Sequence, residues 1–574
     1  MKPFGLIIGF FVTISMISGC ASTPGQSGLA NADSVSEVSS GPKLPNIELT
    51  PDLLHELFVA EIALQRGQYQ TAVKYYTRLA KQTSDPRLVE RATRIAMFSR
   101  EYQIALKLSR QWIELDPGNV DAGQILTALL VKTGDYDAAL ESLEQVVQHA
   151  SADEKGRYML MIRLFGREQD KDGSLEVMQR YLERHPDDTA ALYAYSQLAL
   201  RAGKLDDAEQ SVDLLLKKKP DWSQAVILRT RVLQADNRES AALEYIGDIV
   251  NRNGKDMELR VHYGRMLVDV DRPGEALEQF RKVLKAEPEN NDILFVAGLV
   301  ALRVEQLEEA QEYFLNLNDR AVRVDETGFY LGRIEEIKEN YPRAIRWYSS
   351  VSRGENYLNA QIRSALLYAR EGDVVAARAH LHAAQARSPG QKLRLYLAEG
   401  EILRDVKHYD EAMSVYDRAL EDIPNNAELL YARAMVAERL GNVDLLERDL
   451  LAILEREPDH VDALNSLGYT LADRTDRFDE AYAYIKRALE LKPDTFYILD
   501  SMGWVLYRQG KLDEALVYLQ KAIDMNYDAE IAAHLGEVLW VKGDYEGARD
   551  IWSKALEQTP ESSAVLNTIK RLEN

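Results

Sequence analysis

The stretch LDSMGWVLYRQGKLDEALVYLQKAI, residues 499–523, has the leucines, alanines and charges of a helix, yet it holds glycine at 503 and 510. Glycine inside a helix costs about 0.5–1 kcal/mol relative to alanine, so two in one segment need a reason. A second stretch, AAHLGEVLWVKGDYEGARDIWSKALEQTP at 532–560, repeats the layout. Gly503 matches Gly536, Gly510 matches Gly543, Ala515 matches Ala548 and Ala522 matches Ala555, always at an offset of 33.

The pattern continues in both directions. The Ala515 position recurs at Ala72, Ala105, Ala139, Ser174, Ala208, Ala242, Ala276, Ala310, Ala344, Ala377, Ala412, Leu446, Ala481 and Ala548, in steps of 33 to 35. Pro117, Pro186, Pro220, Pro288, Pro389, Pro424, Pro458, Pro493 and Pro560 each fall twelve residues after such a marker. Gly67, Gly134, Gly203, Gly372, Gly441, Gly510 and Gly543 each fall five residues before one. A helix–turn–helix unit explains all three positions. Gly503 and Ala515 sit where two helices approach closely, Gly510 makes the turn, and proline ends the second helix. Asp513 and Glu514 complement the dipole of that second helix.

Period and layout resemble the tetratricopeptide repeat, two antiparallel helices in about 34 residues. The resemblance covers residues 49–560 and is strongest in NSLGYTL (465–471), LDSMGWVL and AAHLGEVL. The consensus tryptophan before the glycine is replaced by Leu464, Leu499 and Ala532, and the copies around Ser174 and Leu446 are degenerate. The expected fold is all-α: about fifteen repeats stacked as a solenoid, each touching its neighbours. The resemblance implies a right-handed superhelix with a concave groove. Residues 561–574 carry Val565, Leu566, Ile569 and Leu572 at helical spacing and are expected to cap the last repeat.

The amino terminus has a different character. Met1 to Cys20 reads MKPFGLIIGFFVTISMISGC: Lys2, an apolar run from Phe4 to Ile17, then small residues. The run is short for a membrane span and reads as a secretory signal. Ile17-Ser18-Gly19-Cys20 resembles a bacterial lipobox, with Ile where Leu is usual. That resemblance implies cleavage before Cys20, lipidation (thioether-linked lipid and an acyl group such as palmitate) on Cys20, and, with Ala at 21, an outer-membrane lipoprotein facing the periplasm. Several acyl chains hold a protein stably where one does not. Residues 21–48 hold no aromatic residue and are rich in Ser, Gly, Ala and Pro. They are expected to form a tether, whose end-to-end distance is about 30 Å.

Gross composition excludes several classes. Net charge is −22 over 574 residues, the opposite of the basic footprint that nucleic acid requires. Cys20 is the single cysteine, so no intramolecular disulfide forms. Catalytic motifs such as HExxH and GxSxG are absent, and the nine histidines are scattered. His380 and His382, two apart on a helix, point to different faces. No enzyme activity, cofactor, metal or small-molecule substrate is expected.

In this repeat family the groove is lined by first-helix positions six and three residues before the glycine and one, four and five after it. In the last repeats these include Asn465, Tyr469, Asp473, Tyr497, Asp500, Trp504, Tyr507, Arg508, Glu537 and Trp540, with Tyr431 and Phe329 at related places earlier. Aromatics with a few fixed charges suit a protein-binding groove, and Tyr497, Trp504, Tyr507 and Trp540 are the expected cluster. The alternative is that these aromatics pack on adjacent helices and fill the groove.

Four segments carry a closer resemblance. LHELFVAEIALQRGQYQTAVKYY (54–76), SDPRLVERATRIAMFSREYQIALKLSRQWIELDPGN (84–119), ILDSMGWVLYRQGKLDEAL and AEIAAHLGEVLWVKGDYEGARDIW look like lipoprotein adaptors of periplasmic carboxyl-terminal processing serine proteases. The resemblance implies a scaffold that joins such a protease to its substrates, notably peptidoglycan hydrolases, and promotes proteolysis. An assembly scaffold for a secretin or pilus, for exopolysaccharide secretion or for cell-wall synthesis is the other reading.

Overall fold

The computed structural model describes residues 44–150, 153–166 and 170–573. These contain 31 helices and no strand. The lipobox and most of the tether lie outside the described residues.

The helices come in pairs. They begin with α1 (Pro51–Gln65) and α2 (Tyr69–Thr83), α3 (Pro86–Phe98) and α4 (Tyr102–Leu115), and α5 (Val120–Lys132) and α6 (Tyr136–His149). Next come α7 (Glu154–Phe165) and α8 (Lys171–Arg184), α9 (Thr189–Ala202) and α10 (Leu205–Lys218), and α11 (Ser223–Ala235) and α12 (Glu239–Arg252). The middle holds α13 (Met257–Asp269) and α14 (Pro273–Ala286), α15 (Asn291–Arg303) and α16 (Leu307–Asp319), and α17 (Val324–Ile337) and α18 (Tyr341–Ser350). It continues with α19 (Tyr357–Arg370) and α20 (Val374–Ala383), α21 (Pro389–Asp405) and α22 (Tyr409–Asp422), and α23 (Ala427–Arg439) and α24 (Val443–Arg456). The last pairs are α25 (Val461–Arg474) and α26 (Phe478–Leu491), α27 (Phe496–Arg508) and α28 (Leu512–Met525), and α29 (Ala529–Lys542) and α30 (Tyr545–Gln558), closed by α31 (Ser563–Glu573). The chain divides into two compact units, 1–242 and 243–574, with the division inside α12. Each unit is a stack of pairs whose buried side chains come from adjacent helices.

All fifteen marker residues are buried on second helices, including Ser174 and Leu446. The degenerate copies therefore fold like the rest. Ser174 keeps its small size and donates its hydroxyl to Asp170 O at 2.7 Å.

Gly503 and Gly510 serve different purposes. A Cβ on Gly503 would lie 2.5 Å from Leu519 Cγ and 3.1 Å from Ala515 O, so α27 and α28 leave no room for a side chain there. A Cβ on Gly510 would meet nothing within 4 Å, but Gly510 has φ +77°. Its N–H bonds Tyr507 O at 2.8 Å and the next N–H bonds Leu506 O at 2.9 Å, closing α27. At six of the turns that lack glycine, Arg100, Asn237, Asp271, Glu305, Glu339 and Lys407 take the same left-handed backbone, with φ between 56° and 64°, whereas Asp476 in the turn between α25 and α26 does not. The turn geometry is thus imposed by packing of the pair even where the sequence pays for it in strain.

In α28 the buried residues Ala515, Leu519, Ala522 and Ile523 form one stripe. Burying each leucine or isoleucine contributes about 1.5–3 kcal/mol. Two details depart from the sequence reading. Pro389 does not end a second helix: α20 stops at Ala383, and Pro389 opens α21 behind the Ser388 cap, a position that needs no N–H. In α31, Val565 is fully buried while Leu566 is 46% exposed, so the cap covers α29 and α30 with Val565, Ile569 and Leu572.

Candidate protein-binding face

The first helices α25, α27 and α29 lie side by side within the second unit. Their spacing brings residues two repeats apart together. Tyr469 on α25 places its hydroxyl 3.5 Å from both His534 Nε2 and Glu530 Oε1 on α29. Between them, Asp500 on α27 accepts from His534 Nδ1 at 2.9 Å and 3.1 Å to its two oxygens. Trp504, one turn further along α27, stacks on the His534 ring at 4.2 Å and touches the Tyr507 ring at 5.1 Å.

Burial and charge set the chemistry of this layer. Burial alone would push the His534 imidazole down, but the Asp500 carboxylate beside it, helped by Glu530 and Glu537, holds it above its ordinary value. Burial pushes the Tyr507 phenol up to about 12, aided by Glu537, which accepts its hydroxyl at 3.0 Å. Glu537 is itself 3% exposed and paired with Arg571 of the capping helix. Burial, then the hydrogen bond to Asp462 at 2.9 Å, pushes Tyr497 up to about 12. Arg508 donates to Asp473 O at 3.0 Å and covers the Phe478 ring at 4.9 Å.

Two polar atoms in this region are buried without partners: Trp504 Nε1 and Asn465 Oδ1. Leaving a buried donor or acceptor unpaired costs about 1–3 kcal/mol.

The residues expected from sequence separate into groups. Tyr469, Asp500, Trp504 and Tyr507 come together, with Glu537 beside Tyr507. Tyr497 instead packs edge-on against Phe496, and Tyr431 bonds Ser466 at 3.1 Å. Trp540 turns to the second helix of its own pair, against Tyr545, Trp552 and Arg549. Phe329 is 7% exposed and packs on Tyr330 and Tyr348 in the core. The expected cluster of Tyr497, Trp504, Tyr507 and Trp540 is therefore not one cluster. Sequence reasoning missed His534 and Glu530. Glu530 lies six residues before Gly536, the spacing that selected Tyr497, so its signal was legible. His534 falls on none of the groove spacings.

Elsewhere, His382 Nε2 lies 2.9 Å from the buried Glu399, while His380 sits beside Tyr368 at 5.8 Å between ring centres, and burial pushes its pKa down. The two rings thus face different surroundings. Among the described residues no group of three or more His, Cys, Asp or Glu is placed to hold a metal ion, and no helix is long and apolar enough to cross a membrane.

Models of the tetratricopeptide repeat match residues 167–232, 264–321, 397–445, 447–495 and 501–563. Between 322 and 396 the second helices α18 and α20 are only 10 residues each. The chain is 35% identical over 489 residues to TPR repeat-containing protein PA4667 of Pseudomonas aeruginosa, covering 85% of this chain and 82% of that protein. It is 26% identical over 179 residues to human protein O-mannosyl-transferase TMTC1, where it spans about a fifth of that protein's length (20%) and 30% of this chain. Among solved structures, the APC/C hetero-tetramer Cut9-Hcn1 aligns over 92% of this chain and 97% of the other, at 16% identity and a TM-score of 0.32. Fifteen helix pairs among the described residues, a repeating small-residue contact and the match over 82% of a repeat-containing protein agree: the chain belongs to the tetratricopeptide-repeat family, whose members act as protein–protein interaction scaffolds.

Proposed function

We propose that the protein is a lipid-anchored adaptor on the periplasmic side of the outer membrane. In this reading it binds a carboxyl-terminal processing serine protease and that protease's substrates, peptidoglycan hydrolases, and promotes proteolysis without catalysing it. The observation that supports a binding role is the inner-helix layer of α25, α27 and α29, where Tyr469, Trp504 and Tyr507 gather around the Asp500–His534 pair. The lipobox-like run ending at Cys20 supports the location, and the family resemblance of the four quoted segments supports the protease. The mechanism is proximity. Two proteins held on one short-tethered scaffold meet at an effective concentration on the order of mM.

The test mixes the protein, a candidate protease and a hydrolase substrate. Faster substrate loss with the protein present is expected, and an unchanged rate refutes the adaptor. Recovery of a secretin or a glycan synthase in place of a protease, by affinity capture from periplasm, replaces the partner. The structure also decides which variant to use. Trp504 is 6% exposed, so truncation to alanine would cost about 3–5 kcal/mol of packing and confuse binding with folding. Trp504→Phe keeps the ring and removes the N–H. For the anchor, Cys20→Ser is expected to release the protein from the outer-membrane fraction; wild-type fractionation of that variant refutes lipidation.

A further inference from the structure

Charge is unevenly spread along the chain. The net charge is −22, yet residues 66–110 hold ten basic and three acidic residues. Five of the arginines there have carboxylate partners: Arg78 with Glu56, Arg87 with Asp85, Arg91 with Glu61, Arg94 with Glu90 and Arg110 with Asp135. Lys74, Lys81 and Lys107 differ. All three are exposed, and none has an ion-pair partner among the described residues.

These three lysines line one groove of about 650 Å³, between the second helices α2 and α4 of the first two pairs. Lys74 and Lys81 stand on the α2 wall and Lys107 on the α4 wall. Between the walls lie the buried Val73 and Leu108 and the half-buried Ile104. From Gln70 to Lys81 the α2 wall rises about 16 Å. Glu101 is the one carboxylate of the lining; it precedes the first turn of α4, whereas Lys81 lies in the last turn of α2.

The lysines reverse the charge that later repeats carry. Lys74 and Lys107 hold the same position in the first two repeats, two residues after the markers Ala72 and Ala105. The next six repeats place Glu141, Glu176, Gln210, Glu244, Glu278 and Glu312 there. Stacking of the pairs therefore does not require lysine at this position. Unpaired cations on both walls match carboxylates, and the apolar strip between them matches an apolar side chain. A plane of lipid headgroups reaches the rim of a trough but not its floor, so a protein segment fits it better than a membrane does.

We propose that the groove between α2 and α4 docks an acidic segment of a partner protein. One apolar side chain of the segment rests on Val73, Ile104 and Leu108, and its flanking carboxylates meet Lys74, Lys81 and Lys107. The surface is built from second helices of the unit 1–242, whereas the layer around Asp500 and His534 is built from first helices of the other unit. It goes beyond the adaptor reading, resting only on the scaffold role of the family, and adds a second docking surface and the chemistry it selects.

The test selects random dodecapeptides displayed on phage against the chain without residues 1–20, which keeps every described residue, and in parallel against Lys74→Glu/Lys107→Glu in the same chain. Glutamate is what most of the following repeats carry at that position, so the variant is expected to fold, with helical circular dichroism unchanged. Peptides with Asp or Glu on both sides of an apolar residue are expected from the wild type and not from the variant. The best of them, measured by fluorescence anisotropy, is expected to bind the variant at least about tenfold more weakly and to lose affinity as salt is raised. Changing its Asp and Glu to Asn and Gln should remove the difference between the two proteins, because the cycle isolates the charge pairs. Changing its apolar residue to alanine should weaken binding to the wild type about tenfold. Selected peptides without acidic enrichment, or equal affinity for wild type and variant, overturn the groove and leave the adaptor reading intact. Flotation of the wild type, but not the variant, with vesicles of phosphatidylethanolamine and phosphatidylglycerol, in the absence of an acidic peptide class, overturns the protein segment in favour of lipid. Failure to accelerate the protease while acidic peptides still bind overturns the adaptor alone.

Discussion

Gly503→Ala separates the two reasons for glycine in a repeat. Alanine is the better helix former by about 0.8–1.0 kcal/mol, so on propensity alone the substitution should stabilise α27. The structure predicts the opposite sign. The new methyl would stand 2.5 Å from Leu519 Cγ and 2.9 Å from Cδ2, where ordinary carbon contact is about 3.5–4.0 Å. Both neighbours are fully buried, and Ala515 O blocks the third side at 3.1 Å, so the pair must open by about 1 Å. Overpacking of this kind costs about 1–3 kcal/mol, and subtracting the propensity gain leaves a net loss of up to about 2 kcal/mol. Leu519→Ala on top of Gly503→Ala removes the clash, so the double variant should lose less than the sum of the singles, by about 1 kcal/mol or more. Gly510→Ala makes no clash and should cost about 1 kcal/mol through its left-handed φ, with no rescue by Leu519→Ala. Hydrogen exchange followed by peptide is the assay. Lost protection should centre on α25 to α30 and leave α1 to α6 unchanged, because contacts reach only adjacent pairs. A stabilising Gly503→Ala, additive double variants, or uniform loss along the chain would each refute the reasoning.

Other expectations follow from single groups. Glu305→Gly should stabilise its unit by about 0.5–1 kcal/mol, because φ +59° strains any side chain, read as a higher urea midpoint. Asp449→Ala should cost about 3–5 kcal/mol: Asp449 is 1% exposed and takes a two-pronged bond from Arg433 at 2.7 Å and 2.8 Å, leaving that guanidinium without its buried partner. His534 has its folded pKa raised by Asp500, so its contribution is fully present below the unfolded value of about 6.5 and fades as pH rises through the higher folded value. Protection of α27 and α29 should therefore fall across that alkaline side, and Asp500→Asn should flatten the dependence.

The repeat was legible because one geometric need, a small residue where two helices touch, recurs every turn of the array and leaves a mark at fixed spacing. Ala515, Gly503 and Gly510 needed no coordinates to interpret. The left-handed turns at Arg100, Glu305 and Lys407 were not legible, because packing of the pair forces the backbone there without asking for glycine. The start of α21 at Pro389 was misplaced because proline fits both after one helix and at the front of the next.

The candidate site divides the same way. Asp500, Trp504, Tyr507 and Tyr469 could be selected from spacing, because a face of a helix is a periodic property of its own sequence. Which of them meet could not. Trp540 has the same spacing as Tyr507, yet it packs on Trp552, and Tyr507 reaches Glu537 instead. The Tyr469–His534 approach joins residues 65 apart through two intervening packing steps. The sequence by itself determined the unit, its count and the order of its faces, since these follow from local periodicity. Only the tertiary structure decided which side chains share a layer and which polar atoms are left unpaired, since contact between repeats depends on how rigid pairs stack and not on any spacing within one of them.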